Sequence, residues 1–292
     1  MNACAVIVCY HPDSLNLQRL CESLLESKAR VILVDNSEQP EVANDPLFQQ
    51  YETISQGENT GIASAQNAGI ARAREVGADV VIFFDQDSQI SSEFLYNLSA
   101  TLECGVPLIV APVCVDAVSG VELPSTVVTR SGRSIAIRCR DALAPQSVDA
   151  VIASGTAATI EVFDVAGLLD EDLFIDYVDT EWCLRCRSYG IPIRVVPTAV
   201  MKHEIGSKTI RCGPLTVSVH SPSRCYYQIR NSLLLFRKSH IPSLFALREV
   251  IATLVSRALL LLFVESRVNY MRAYAGALSD GMRGIAGRGP GW

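Results

Sequence analysis

Short apolar runs alternate with helical patterns over the first third of the chain, and this alternation restricts the fold more than any other feature. "CAVIVCY", "RVILVD", "DVVIFFD" and "PLIVAPV" are near-continuous apolar runs, and "YETIS" is a shorter candidate strand. Between them, "PDSLNLQRLCESLLES" places Leu17, Leu20, Cys21, Leu24 and Leu25 at helical spacing. "GIASAQNAGIARAREVG" reads as a small-residue helix closed by Gly77, and "SSEFLYNLSATLECG" as another helix. Strands without polar alternation are buried on both faces, so helices must cover the sheet above and below. The expectation is an α/β fold with a mainly parallel sheet, whose ligands bind beyond the carboxyl ends of the strands. Residues 113–150 break the pattern. Their β-branched runs "TVVTR" and "SIAIRC", interrupted by Gly, Ser and Pro, predict a hairpin or two. "VDAVIASGTAATIEVFDVAGLLDE" then resumes with a strand, a Gly turn and a short helix. "FIDYVDTEWCLRCRSYG" is a loop entering a helix ended by Gly190, and "PIRVVPTAVMKHEIG" a strand leading to His203.

A chain of 292 residues, 49% hydrophobic and 19% charged, suits one large domain or one domain with an appendage. Several of the ten cysteines lie inside apolar runs and read as reduced, buried hydrophobes. Cys183 and Cys186 form a close pair but lack the further ligands of a zinc site. Met1–Tyr10 reads as a first strand, not as a basic leader with a cleavage site, so a cytoplasmic chain is expected. The formal charge of −6 is unevenly spread. From Lys202 onward 13 Lys/Arg stand against 4 Asp/Glu (+9), and residues 1–201 hold 12 against 27 (−15). An acidic body does not suit nucleic acid, whereas a basic tail suits an anionic surface. The tail also carries "ALLLLFV", Ala258–Val264, in an apolar stretch from Val250. Arg248, Glu249, Arg257 and Glu265 rule out a membrane span there and spread around the helical wheel.

"FFDQDSQI" puts Asp85 and Asp87 together at the end of a buried strand. Two such carboxylates repel unless a cation lies between them or one is protonated. Mg²⁺ takes one or two carboxylates and completes its shell with water and phosphate oxygens, so this pair suggests a metal-bound pyrophosphate. The competing reading has one carboxylate capping the helix that begins near Ser91. Asp35 in "ILVDNS" ends another strand, where it meets either a base imide or its own turn. "ENTGIASAQNAG" brings Asn59, Gly61 and Asn67 to a helix start, where N-capping by Asn59 or Thr60 competes with anion binding.

Taken in order, "VIVCYHPD", "VDNS", "ENTGIASAQNAG", "FFDQDS", "FIDYVDTEWCLRCRSYG", "VMKHEIG" and "RCYYQIRN" resemble the inverting glycosyltransferases of family 2. The likeness runs from residue 4 to about 240, and "DQDS" with "DYVDTEW" is similar to bacterial rhamnosyltransferases of O-antigen and related surface polysaccharides. It implies the GT-A nucleotide-sugar-binding fold, with a Rossmann-like sheet in residues 1–220 and a basic, apolar C-terminal helical region in 221–292. It further implies a donor such as dTDP-L-rhamnose, an acceptor saccharide on a polyprenyl diphosphate, and a Mg²⁺ or Mn²⁺ ion. The enzyme would sit at the inner face of the cytoplasmic membrane. Carried over, Asp35 contacts the nucleobase, with Asn59 and Asn67 nearby in the donor site. Asp85 lies by ribose and metal, and Asp87 and His203 ligate the metal. Arg224 and Arg230 clamp phosphates. Aligning on Arg185 makes Asp179 the base, although a lone Asp there also reads as a helix cap. Val178 stands where relatives carry Glu, which leaves Asp176 or Glu181 as a second acid beside Trp182. Two rivals remain: a haloacid-dehalogenase-type phosphatase, whose Asp-x-Asp normally ends the first strand, and a non-catalytic saccharide-binding protein.

Overall fold

The computed structural model describes residues 1–203, 209–212 and 215–290. Its first half runs β1 (Ala3–Cys9), α1 (Ser14–Glu26), β2 (Arg30–Asp35), α2 (Glu41–Asn44), β3 (Glu52–Ser55), α3 (Ile62–Glu75), β4 (Val80–Asp85), β5 (Gln89–Ile90), α4 (Phe94–Ser99) and β6 (Ile109–Asp116). An irregular segment follows, with β7 (Glu122–Leu123), the β8 (Ser125–Val128) and β9 (Ser134–Ile137) hairpin, and β10 (Gln146–Ser147). The chain continues through β11 (Ala157–Thr159), α5 (Ile160–Ala166), α6 (Val178–Ser188), β12 (Ile193–His203), β13 (Thr209–Cys212) and β14 (Leu215–Ser218). Three helices end it: α7 (Pro222–Leu234), α8 (Ser243–Leu260) and α9 (Arg267–Arg283).

The main sheet has the order β10-β12-β6-β11-β4-β1-β2-β3, with β5 beside β12 and β7 beside β6. β1 pairs in parallel with β2 and β4, β2 with β3, and β6 with β12. Short β11 runs antiparallel between β4 and β6. The strand expected at "DAVIASG" therefore forms after the glycine turn, not before it. Gly155 at φ +76° reverses the chain and donates its N–H to Phe83 O at 2.7 Å, so pairing starts two residues later.

Alternate residues of β1 enter opposite cores. Cys4, Val6 and Val8 pack with α3 and α6 residues, whereas Ala5, Ile7 and Cys9 pack with Leu17, Leu20 and Leu24 of α1. Gly69 of α3 faces β1, where an added Cβ would clash with Val6 Cγ1. The small residues of this helix thus let it lie tight on the sheet, above the strand ends. Nine cysteines are free thiols, eight of them buried, and the Cys212 side chain lies outside the described residues.

α8 departs from its sequence reading. What its charges face is the difference: Arg248 is exposed, Glu249 is half-buried against Tyr177 Oη at 3.3 Å, and Arg257 is buried. Leu244, Leu247, Ile251, Leu254 and Val255 form an exposed stripe at helical spacing, continued by Leu262 and Phe263. Leu260, by contrast, is fully buried. Among the described residues no helix is long and apolar enough to cross a membrane.

Candidate active site

The parallel strands end on one side of the molecule, above a cleft of about 770 Å³. Asp85 closes β4, and its N–H is fixed by Ser154 Oγ at 3.1 Å. The intervening Gln86 turns to the end of β1: its amide accepts from Tyr10 N–H (2.7 Å) and donates to Tyr10 O (3.1 Å). β5 then pairs with β12 in the register Lys202↔Gln89, which brings His203 next to Asp87. His203 Nδ1 lies 3.3 Å from Asp87 Oδ1, and Nε2 lies 3.8 Å from Asp85 Oδ2. Ligand atoms of all three residues fall within 4.8 Å of one another, and all three side chains are partly exposed to the cleft. Burial pushes the Asp85 carboxyl up to about 6, opposed by His203 and reinforced by Asp87 and Asp179. Accumulated negative charge of this kind, with an imidazole alongside, suits a divalent cation that keeps open positions for substrate oxygens. The Glu204–Gly206 part of "VMKHEIG" lies outside the described residues.

Across the cleft, α6 starts at Val178, and the residue before it, Tyr177, adopts φ +66° and makes no side-chain capping bond. Asp179 is therefore not the helix cap. Its Oδ2 accepts the Ala153 N–H at 3.1 Å, and burial is the main cause that raises its carboxyl above the ordinary range. The approach to this helix is contorted: Phe174, Asp176 and Tyr177 all have positive φ near 65°. Phe174 (φ 64°, ψ −62°) makes a γ-turn, closed by Ile175 N–H on Leu173 O at 2.8 Å. Non-glycine residues in such conformations cost on the order of 1–3 kcal/mol each and persist only where surroundings hold them. Asn231 of α7 does so, donating from Nδ2 to Leu173 O, Ile175 O and Asp176 O. On the opposite side, Ile62 N–H donates to Phe174 O at 2.8 Å. Gly61 (φ +87°) caps α3 there, and a Cβ on it would stand 2.7 Å from Phe174 O. Neither Asn59 nor Thr60 caps that helix; Asn59 Oδ1 instead accepts from Gly61 N–H and Asn36 Nδ2.

Asn59, Asp85, Asp87, Asp176, Asp179, His203 and Arg224 all line the cleft. Arg224 pairs with Asp176 at 3.3 Å. Five other sequence candidates do not reach it. Asp35 is fully buried, and its oxygens accept Ser37 N–H and Val42 N–H, so it fixes the turn after β2. Asn67 ties α3 to the loop after α5 through Leu169 and Glu171. Glu181 faces away, buried against Arg185 and His240. Trp182 stacks on Phe163 with centroids 5.6 Å apart, inside the core. Arg230 is fully buried and spends its guanidinium on Asp172 O, Leu173 O, Gly287 O and Asn231 Oδ1. Sequence reading passed over Asn36, Gln66, Ser154 and His220, which do line the cleft. Asn36 sits beside Asp35 in "VDNS" and Gln66 beside Asn67, so a one-residue change of facing separates each from the residue chosen.

The glycosyl transferase family 2 profile matches residues 4–132. A Shigella flexneri protein named dTDP-rhamnosyl transferase RfbF is 40% identical over 290 residues, covering 99% of this chain and 98% of that one. Among solved structures, residues 1–349 of S. aureus TarS in complex with UDP-GlcNAc superpose with a TM-score of 0.60 at 12% identity, over 98% of this chain and 82% of that one. GalNAc-T7 with UDP, GalNAc and Mn²⁺ gives 0.59 at 17% identity, over 78% of this chain and 48% of that one. At these identities the two structures show the GT-A fold alone. The full-length relative, the matching profile and the sheet with its Asp-x-Asp strand end agree: the chain belongs to glycosyl transferase family 2.

Proposed function

We propose that this protein is an inverting, metal-dependent rhamnosyltransferase that uses dTDP-L-rhamnose and a lipid-linked saccharide in surface polysaccharide synthesis. The observation that carries the proposal is the facing of Asp85, Asp87 and His203 by Asp179 across one cleft. The donor assignment draws on the name of the 40% identical relative. In this reading residues 1–220 form the catalytic unit, and the helical region 221–292 adds Arg224 to the cleft.

Asp85, Asp87 and His203 fit a Mn²⁺ or Mg²⁺ ion by donor set and spacing. When bound there, the ion supplies positive charge against the departing diphosphate. Asp179 takes the proton from the acceptor hydroxyl as that oxygen attacks the anomeric carbon opposite the nucleotide. A raised pKa makes its carboxylate a stronger base, and the Ala153 N–H holds the other end of the carboxylate in place. Arg224, held on Asp176, offers a guanidinium to phosphate oxygens. Asn36 and Asn59, joined at 3.2 Å, take the nucleoside end in place of the buried Asp35. Inversion of a β-linked donor yields an α-rhamnoside. The apolar stripe of α8, with exposed Arg248 beside it, supports docking at the cytoplasmic face of the membrane, where a polyprenyl-linked acceptor would be found. Calorimetric titration tests the donor assignment. With Mn²⁺ present, dTDP is expected to bind more tightly than UDP; preference for UDP would move the donor away from dTDP-rhamnose.

A further inference from the structure

Two arginines are buried beneath the C-terminal helices, and only one has its hydrogen-bonding capacity met. Arg230 is surrounded by carbonyl and amide oxygens and by the rings of Tyr226 and Tyr227. Arg257 of α8 is 6% exposed, and its guanidinium finds Ser256 Oγ at 2.9 Å and the weak acceptor Cys225 Sγ at 3.4 Å. Among the described residues its Nε has no acceptor, and no carboxylate lies within ion-pairing distance. A buried cation is stable only when paired or well solvated by hydrogen bonds, so this one points to a missing partner.

Arg257 lines a cavity of about 400 Å³ between α6, β14, α7 and α8, together with Thr180, Ser218, Gln228, Thr253 and Ser256. Hydroxyl and amide groups around one cation suit a sugar bearing an anionic group. The cavity meets the catalytic cleft through Asp176, Tyr177 and His220, which line both, and Thr180 follows the proposed base directly. Asn36 and Asn59, where the donor nucleotide is placed, line the cleft and not this cavity.

We infer that this cavity is the acceptor subsite, and that Arg257 binds an anionic group, a phosphate or a carboxylate, carried by the acceptor. The inference rests on the glycosyltransferase reading in setting the acceptor beside Asp179. It also has a readout that needs no turnover. With dTDP saturating the cleft, binding of glucose 1-phosphate, glucuronate and methyl glucoside is measured by ligand-observed NMR. At least one of the two anions is expected to bind about tenfold or more tightly than the neutral glucoside, as charge-assisted hydrogen bonds to a guanidinium require. Which anion binds identifies phosphate or carboxylate as the source. Arg257→Gln should remove the preference and leave dTDP affinity within about twofold. Ala252→Phe, at the exposed rim of the cavity, should remove it by filling the space and stands in if Arg257→Gln fails to fold. Equal affinity for the three probes, no binding of any, or a preference that survives either substitution would overturn the assignment. A donor preference other than dTDP, seen in the nucleotide titration, would overturn the rhamnosyl reading and leave this result intact.

Discussion

Asp179 is a carboxylate that the fold makes harder to ionise. Its pKa is raised chiefly by burial, so its ionised form costs the folded state free energy that the unfolded chain does not pay. The sign follows: this group stabilises the fold below its unfolded pKa, and the contribution is lost as pH rises through the folded value. Asp179→Asn should therefore melt higher than wild type at pH 7–8, with the advantage shrinking toward pH 4. The same variant should keep nucleotide affinity and lose about 10²–10⁴-fold in turnover, the contribution of a positioned base. Turnover within a few-fold of wild type would move the base to Asp176, the other carboxylate on that side of the cleft. Asp87→Ala should abolish the Mn²⁺ dependence of dTDP binding while the fold survives, read by calorimetry beside a thermal melt. Unchanged metal dependence would remove Asp87 from the ligand set. Residues at strand ends were legible in sequence because an apolar run fixes where its last side chain emerges, as for Asp85 and Asp87. Asp35 and Arg230 were not. Whether a polar group faces a cleft or is spent on nearby backbone depends on neighbours distant in sequence, such as Val42 N–H for Asp35 and Gly287 O for Arg230.

The loop from Leu173 to Tyr177 is the element on which the site's geometry depends. It is held between Ile62 N–H on one side and the Asn231 amide on the other. Asn231→Ala would leave Ile175 O and Asp176 O without that donor, and Leu173 O with Arg230 and the Ile175 N–H. Loss of stability by about 2–4 kcal/mol in urea unfolding is expected, from the penalty for unpaired buried acceptors. Activity should fall with it, since Asp176 and the start of α6 lose their anchor. A change below about 0.5 kcal/mol, the range of ordinary surface substitutions, would show that the loop holds itself. The elements themselves were largely legible: parallel strands and their helices follow from unbroken apolar runs and 3.6-residue spacing. β11 was misplaced because a three-residue strand has no periodicity, and only the Gly155 turn decides where pairing begins.

At the scale of the whole molecule, an acidic body carries a basic tail whose helix α8 turns Arg257 inward and an apolar stripe outward. Sequence alone suggested a poor amphipathic helix because buried Arg257 and half-buried Glu249 look like surface charges until α6 and α7 are packed beneath them. Replacing exposed Leu247, Ile251 and Leu254 with Ser should weaken co-sedimentation with anionic vesicles and leave the melting temperature nearly unchanged. Leu260→Ser, in the core, should do the reverse. High salt should reduce vesicle binding only in part, because screening acts on the arginines and not on buried leucine. Absence of binding at low salt would end the membrane assignment. All these roles presuppose one reaction, and one measurement addresses it directly: purified enzyme, Mn²⁺, dTDP-L-rhamnose and membrane-extracted lipid acceptor, with the product read by mass spectrometry and its anomeric configuration by NMR. Metal-dependent addition of a single deoxyhexose in α linkage is the expected result. Transfer that persists without divalent cation, a β-linked product, or transfer from UDP-sugars but not from dTDP-L-rhamnose would contradict it.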